Sequence, residues 1–202
     1  MSDKMNMNGN KTGPIIESFM GLAPEISQSA FIASSAVISG AVRIGDDASI
    51  WHNVTLRGDG NYITIGPGAN IQDNSCVHID SAKYPTIIGR HVTIGHSAII
   101  HACTLEDGCF VGMGAIVMDG AVVESGAMVA AGAMVTPKKR IPTGELWAGR
   151  PAKKMRDLTS EEVRALQISA DRYIEFGRAY RLGESGGPYQ YFTPKPLPKE
   201  EA

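Results

Sequence analysis

An aliphatic residue returns at intervals of six through about half of the chain, with a surplus of three residues after Leu56, a surplus of five after Val77 and a deficit of one after Ile100. These anchors are Ile32, Ile38, Ile44, Ile50, Leu56, Ile65, Ile71, Val77, Ile88, Ile94, Ile100, Leu105, Val111, Val117, Val123, Val129 and Val135. Small or β-branched residues stand two positions before most anchors, and glycine follows several of them. A period of two indicates a half-buried strand and a period of 3.6 a helix, so a period of six fits neither. The pattern predicts a parallel β-helix, in which short strands alternate with tight turns and successive coils stack.

The flanking segments lack this period and divide the chain into five parts. Residues 24–140 are predicted as the β-helix domain, residues 1–23 as an N-terminal tail, and residues 141–158, punctuated by Pro and Gly, as a connecting loop. Thr159 and Glu162 make a T-x-x-E capping box, and apolar residues then recur at helical spacing. Residues 159–182 are therefore predicted to form a helix that packs on the β-helix, and residues 183–202 a C-terminal tail. The predicted fold class is an all-β solenoid with one C-terminal α-helix.

Composition excludes several classes of function. The chain has 202 residues, and its 19 Lys and Arg against 21 Asp and Glu argue against nucleic acid as a partner. The N-terminus lacks the apolar core of a secretory signal and no apolar run reaches membrane length, so the sequence predicts a cytoplasmic protein without a membrane partner. Cys76, Cys103 and Cys109 lack metal-binding or redox spacing and are interpreted as reduced, small packing residues.

The hexapeptides "IGDDAS", "IGPGAN" and "IGRHVT" resemble the hexapeptide-repeat family, whose coil is a left-handed triangular prism with three hexapeptides per turn. The handedness comes from this resemblance alone. Every third anchor then returns to the same face, so the anchors sort into three columns. Column one contains Ile32, Ile50, Ile71, Ile94, Val111 and Val129; column two contains Ile38, Leu56, Val77, Ile100, Val117 and Val135; column three contains Ile44, Ile65, Ile88, Leu105 and Val123.

Two histidines fall on one column. His78 and His101 directly follow column-two anchors on successive coils, as Arg57 does one coil earlier. Neighbouring coils lie ~4.8 Å apart, so imidazoles on adjacent coils can bind one ion at ~2.0–2.1 Å. The sequence therefore predicts that His78 and His101 are metal ligands.

A third histidine falls on another face. His96 stands two positions after a column-one anchor, with Asp73 at the same place one coil earlier and Gln72 beside it. His96 cannot easily reach the other two histidines within one chain, but two prisms packed side by side could bring column one of one chain against column two of the next. A three-fold ring would then make three identical sites. A lone histidine is more often a surface residue, which is how His91 is interpreted, and His52 is interpreted as a polar neighbour two coils from His96 on the same column. The polar residues concentrated on two columns favour a metal site.

Longer motifs resemble the γ-class carbonic anhydrases. They are "LRGD" at 56–59, "IQDNSCVHID" at 71–80, "IGHSAIIHAC" at 94–103 and "WAGRPAKKMR" before the helix, within a resemblance over about residues 24–181. The resemblance implies a homotrimer with Zn²⁺, or alternatively Fe²⁺ or Co²⁺, at each subunit interface. The ligands would be His78 and His101 of one subunit and His96 of its neighbour.

The resemblance also implies a chemistry, the reversible hydration of CO2 to bicarbonate by metal-bound hydroxide. Gln72 would orient the bound water, and Asp73 would order the same network. Arg57 would pair with Asp59 across the interface and meet bicarbonate, although an ion pair between subunits explains them equally well. Tyr173, on the helix, would reach the site, although packing alone also explains it.

The family's proton-passing glutamates have no counterpart in "GDGNY" or "DSAKYPT", and Asp80 is only a weak substitute. Two other functions stay open. A hexapeptide acyltransferase would share the prism and the trimer but use one histidine with coenzyme A. A non-catalytic metal-binding or assembly scaffold would keep the site without the reaction.

Overall fold

The computed structural model describes residues 13–191, 193 and 195. Its main body is a left-handed parallel β-helix, against which one α-helix packs. The strands are β1 (Ile15–Glu17), β2 (Glu25–Ile26), β3 (Phe31–Ile32), β4 (Val37–Ile44), β5 (Ser49–Ile50), β6 (Thr55–Ile65), β7 (Asn70–Ile71), β8 (Cys76–His78), β9 (Thr86–Ile88), β10 (Thr93–Ile94), β11 (Ile99–His101), β12 (Thr104–Leu105), β13 (Phe110–Val111), β14 (Ile116–Val117), β15 (Val122–Val123), β16 (Met128–Val129), β17 (Met134–Val135), β18 (Arg140–Ile141), β19 (Glu145–Ala148) and β20 (Lys153–Asp157). Helix α1 spans Ser160–Leu182, and a 3₁₀ helix follows at Gly183–Gly186.

The strand pairing confirms the three predicted columns. Column one is the series β3, β5, β7, β10, β13, β16 and β19, in which Ile50 pairs with Ile71 and Ile71 with Ile94. Column two is the series β4, β6, β8, β11, β14 and β17. Strands β4 and β6 are long enough to turn the corner into column three, which continues through β9, β12, β15 and β18.

The anchors form the core. All but Ile32 of the predicted anchors are buried, and each Ile, Leu or Val removed from water contributes roughly 1.5–3 kcal/mol. Cys103 and Cys109 are buried among them, and burial raises the pKa of both thiols well above the usual range, which keeps them protonated. The prediction was wrong for Cys76, which is exposed because it precedes the anchor Val77 and so lies on the outside of its strand.

Glycine is required where turns of neighbouring coils stack closely. A β-carbon added at Gly66 would stand 2.6 Å from the carbonyl carbon of Gly89 on the next coil. Because real side chains do not approach backbone so closely, the "IG" of these hexapeptides reflects the contact between coils.

Helix α1 covers column one. Its N-cap is Thr159, whose side chain accepts from the backbone N–H of Glu162 while the Glu162 carboxylate accepts from the backbone N–H of Thr159. The helix contacts β3, β5, β7 and β10, and its close approach needs Gly177, where a β-carbon would stand 3.2 Å from that of Phe31. The polar outward residues of these strands are thereby buried, among them Asn70 and Thr93.

Three segments differ from their predicted boundaries. The segment predicted as the 1–23 tail contains β1, which pairs in parallel with β4 because the first coil offers an open strand edge; its residues 1–12 lie outside the described part. The predicted loop 141–158 contains β19 and β20, an antiparallel pair that closes the last coil of column one. In the predicted tail 183–202, Glu175 of α1 accepts hydrogen bonds from the backbone of Gln190 and Tyr191, and residues 192, 194 and 196–202 lie outside the described part.

Among the described residues, no helix combines the length and apolarity needed to cross a membrane.

Candidate metal centre

His78 and His101 face each other on column two. Their α-carbons are paired across β8 and β11, their ring centroids lie 5.2 Å apart, and His78 Nδ1 lies 3.2 Å from His101 Nε2. The position of His78 is fixed through its carbonyl oxygen, which accepts from the Thr86 hydroxyl and from the backbone N–H of Ala102. The predicted stacking of the two imidazoles is therefore confirmed.

Each of these imidazoles has a carboxylate on its other nitrogen. His78 Nε2 lies 2.9 Å from Asp59 Oδ1, and His101 Nδ1 lies 2.6 Å from Asp119 Oδ1. A neutral imidazole carries a single N–H, and a neighbouring carboxylate holds that proton on the nitrogen facing it. The two nitrogens that face each other are then both lone-pair acceptors.

Two facing lone pairs repel unless a cation, a metal ion or a shared proton, lies between them. Nitrogens bound tetrahedrally at 2.0–2.1 Å from zinc stand about 3.3–3.4 Å apart, close to the 3.2 Å between His78 Nδ1 and His101 Nε2. Carboxylates on the outer nitrogens are also the usual second layer around histidine ligands. The donor set therefore fits a divalent metal ion.

An open cavity of about 440 Å³ exposes these nitrogens to solvent; its lining residues are Arg57, Asp59, His78, Ile79, Asp80, Ser81 and His101. Arg57 Nη1 donates to Asp59 Oδ2 within the same chain. The hydrogen bond from His78 is the largest influence on Asp59 and lowers its pKa below the usual range; burial opposes this shift, and the hydrogen bond and charge of Arg57 add to the lowering. Asp59 is therefore a carboxylate that binds both His78 and the guanidinium.

His96 lies on column one. Its Nδ1 is 2.8 Å from Asp73 Oδ2, so it repeats the pairing of imidazole with carboxylate and leaves Nε2 as the nitrogen that could bind a metal ion. Within residues 13–191, 193 and 195 of one chain, no group of three or more His, Cys, Asp or Glu side chains is arranged to hold a metal ion. One chain brings together His78 and His101 but not His96.

Gln72 and Tyr173 also lie on the column-one side. Gln72 is buried at 6% exposure, and its Nε2 donates to Asn70 Oδ1 at 3.2 Å. Tyr173 packs edge-to-face on Trp51 with ring centroids 5.6 Å apart, and burial followed by the charge of Asp73 raises the pKa of its hydroxyl. Neither residue lines the cavity of His78 and His101.

Asp119 is the site residue that sequence reasoning missed. It follows the column-two anchor Val117 by two positions, one coil beyond His101, so its column and coil were readable from the repeat. Asp80, considered as a proton acceptor, does line the cavity, but its Oδ1 accepts from the backbone N–H of Ala82 and Lys83 at 2.7 and 3.0 Å. The Asp80 carboxylate therefore stabilises the loop that contains it.

Fold and site together define a class: a hexapeptide-repeat β-helix protein with two facing histidines on one column. A family model described as "Hexapeptide repeat of succinyl-transferase" matches residues 85–118 and 103–137. A solved structure of a hexapeptide transferase family protein from Anaplasma phagocytophilum is 52% identical, with a TM-score of 0.79 over 82% of this chain and 98% of that one.

Two curated relatives narrow the class. The chain is 50% identical over 163 residues to "Gamma carbonic anhydrase 1, mitochondrial" of Arabidopsis thaliana, covering 78% of this chain and 59% of that protein. It is also 50% identical over 150 residues to "Probable carbonic anhydrase" of Methanocaldococcus jannaschii, covering 74% of this chain and 94% of that protein. The chain belongs to the γ-class carbonic anhydrase family, and it spans about six-tenths of the length of the plant relative.

Proposed function

We propose that the protein catalyses the reversible hydration of CO2 to bicarbonate with a divalent metal ion, Zn²⁺ or alternatively Fe²⁺ or Co²⁺. The observation that carries the proposal is the pair of nitrogens, His78 Nδ1 and His101 Nε2, that face each other at 3.2 Å while each ring has a carboxylate on its other nitrogen. The names of the curated relatives support the same reaction.

The third ligand would be His96 of a neighbouring subunit in a homotrimer. Outward residues of column two form an apolar ladder beside His78 and His101; its members are Cys76, Ile99, Ile116 and Met134. Ile99 is 44% exposed. Apolar surface next to a ligand set that one chain leaves incomplete supports a second copy of the chain as the covering partner.

The bound metal would lower the pKa of a water molecule and so supply hydroxide near neutral pH. Asp59 and Asp119 hold His78 and His101 in the tautomers that leave their ligand nitrogens unprotonated. Arg57, held by Asp59 at the rim of the same cavity, presents a guanidinium that can bind the bicarbonate anion. Gln72 and Asp73 would enter the site with His96 from the neighbouring subunit.

The test is CO2 hydration by purified protein whose metal content is measured, loaded either with zinc or anaerobically with iron. We expect about one metal ion per chain and hydration above the buffer rate. Protein with full metal content that hydrates no CO2 under either loading would favour a metal-binding scaffold. Protein that binds no metal but transfers an acyl group from an acyl-coenzyme A to an acceptor, releasing coenzyme A, would favour the acyltransferase alternative.

A further inference from the structure

A second open cavity lies on the column-one face beneath helix α1. It has a volume of about 290 Å³ and is lined by Trp51, His52, Asp73, Tyr173, Phe176 and Tyr180. It shares no lining residue with the cavity of His78 and His101. Asp73 in its wall is the carboxylate that lies 2.8 Å from His96 Nδ1. The cavity therefore adjoins the candidate ligand His96 and extends from it along column one.

His52, Asp73 and His96 occupy equivalent positions on three successive coils. Hydrogen bonds between the coils fix this stack: the N–H of Asn74 donates to the His52 carbonyl at 2.9 Å, and that of Ser97 to the Asp73 carbonyl at 2.9 Å. Coil spacing places the α-carbons of His52 and His96 about 10 Å apart. The cavity between them has room for several water molecules, each of which needs about 30 Å³.

Hydration of CO2 releases one proton per turnover, because CO2 and H2O give bicarbonate and H⁺. A group that relays this proton works best if it titrates near the working pH, as an imidazole does. The chain has five histidines, and three of them are candidate ligands. His91 lies outside both cavities, with its Nδ1 3.1 Å from Gln167 Nε2 of α1.

Tyr173 is a poor acceptor, since burial and the charge of Asp73 raise the pKa of its hydroxyl and keep it protonated. His52 remains. Its Nδ1 lies 3.2 Å from Ser35 Oγ; in the tautomer that carries its proton on Nδ1, Nε2 is the nitrogen that can take up a further proton. The titratable groups that face it across the cavity are Asp73, Tyr173 and Tyr180.

We propose that His52 accepts the proton released by CO2 hydration through water in this cavity and passes it to solvent buffer. The proton binds Nε2 of the neutral imidazole and leaves as buffer base removes it, so the ring is regenerated in every cycle. This inference rests on the proposed function, and it assigns the column-one cavity as the route by which the proton leaves.

The experiment compares wild type, His52→Gln and the control His91→Gln, each with equal measured zinc content, in steady-state CO2 hydration at 1 to 50 mM buffer. At low buffer we expect turnover of His52→Gln to fall about fivefold or more, with kcat/KM changed less than twofold. Added imidazole should restore the loss, and His91→Gln should behave as wild type. Independently of activity, NMR of metal-free protein with labelled histidines should show a resonance that titrates between about pH 6 and 8 and disappears in His52→Gln.

The outcomes separate the two hypotheses. An active wild type whose buffer dependence is unchanged in His52→Gln overturns the role of His52 and leaves the proposed function standing. A resonance of His52 that stays in one protonation state from pH 5 to 9 also overturns it. A fully metallated wild type without hydration activity removes the proposed function and, with it, this inference.

Discussion

Columns one and two follow the same six-residue repeat, but their outward-facing residues differ in type and in what covers them. On column one the outward residues under α1 are aromatic, as Phe31 is, or polar; Ser49, Asn70 and Thr93 are buried there, and Asn70 Nδ2 donates to Thr93 Oγ1 at 2.8 Å. On column two the outward residues that precede the anchors from β8 to β17 form the apolar ladder and are at least partly exposed, as Ile99 is. The inward anchors specify the prism, whereas the outward residues specify what covers each face: a helix of the same chain on column one and, as we propose, a second chain on column two.

The largest effect should come from removing a ligand on column two. His101→Ala deletes one of two facing nitrogens and leaves Asp119 without its imidazole partner. We expect metal content to fall at least tenfold, as measured by elemental analysis of purified protein. His91→Ala is the matched control, because His91 lies against α1 away from both cavities. Equal metal loss in both variants would contradict the assignment of His101.

The second prediction concerns a substitution in the apolar ladder of column two, which leaves the candidate metal ligands unchanged. Ile99→Asp places a charge on the exposed side of β11, next to His101 but pointing away from the core. If a neighbouring subunit covers this ladder, sedimentation should shift from a trimer toward the monomer, since burying an unpaired charge costs several kcal/mol. Metal content should fall in parallel.

Thr104→Asp, on the outward side of column three, should leave the assembly intact. A trimer that persists in Ile99→Asp would show that the interface lies elsewhere.

The third prediction concerns Asp119. Asp119→Asn retains the size of the side chain but removes the charge that holds His101 in its tautomer. We expect metal affinity to fall about 10- to 100-fold, the usual cost of losing an outer carboxylate, as measured by competition with a chelator. Asp47→Asn, in the turn after β4, provides the matched control. Unchanged affinity would mean that His101 needs no carboxylate to bind metal.

The six-residue repeat made the fold and much of the candidate site predictable. Counting in sixes placed His78 and His101 on one face and His96 on another, because strands of a β-helix pair without register shifts wherever the period holds. Asp119 obeyed the same rule, but it lies outside the motifs that carry the family resemblance, so only its column and coil pointed to it. The pairing of Arg57 with Asp59 inside one chain was not readable from the repeat, since it depends on rotamers in the bulged corner of β6.

The ends of the prism were less predictable. Strands β1, β19 and β20 carry no anchors of the repeat, and their positions follow from open backbone edges on the first and last coils. An extended segment near such an edge can pair with it. Pairing at the ends of the prism therefore depends on the unsatisfied N–H and C=O groups of the edge more than on the side-chain pattern.

The fourth prediction concerns a variant in which a glutamate is introduced beside the column-two cavity as a proton acceptor. A β-carbon at Gly60 would stand 2.6 Å from that of Ser81, so Gly60→Glu alone is obstructed by the neighbouring loop. The double variant Gly60→Glu with Ser81→Gly removes this clash. We expect its turnover at low buffer to rise roughly threefold over Ser81→Gly alone, with kcat/KM unchanged. No rise in a protein that retains its metal would show that this corner of the cavity does not exchange protons with the site.

The smallest effect should come from a substitution at the start of helix α1, which covers column one. Arg156 and Glu162 form a bidentate pair with two N···O distances of 2.7 Å, and this pair, followed by the Thr159 backbone, lowers the pKa of Glu162 from 4.5 to about 2. A depressed folded-state pKa means that the contribution is complete above the unfolded value and is lost as pH falls from about 4.5 to about 2. Glu162→Gln, which retains the capping geometry, should lower the thermal midpoint by roughly 1–3 °C at pH 7, as measured by circular dichroism. The difference from wild type should shrink as pH approaches 2 and vanish below it, where both side chains are neutral. A constant difference at all pH values would mean that the Arg156 ion pair does not stabilise the start of α1.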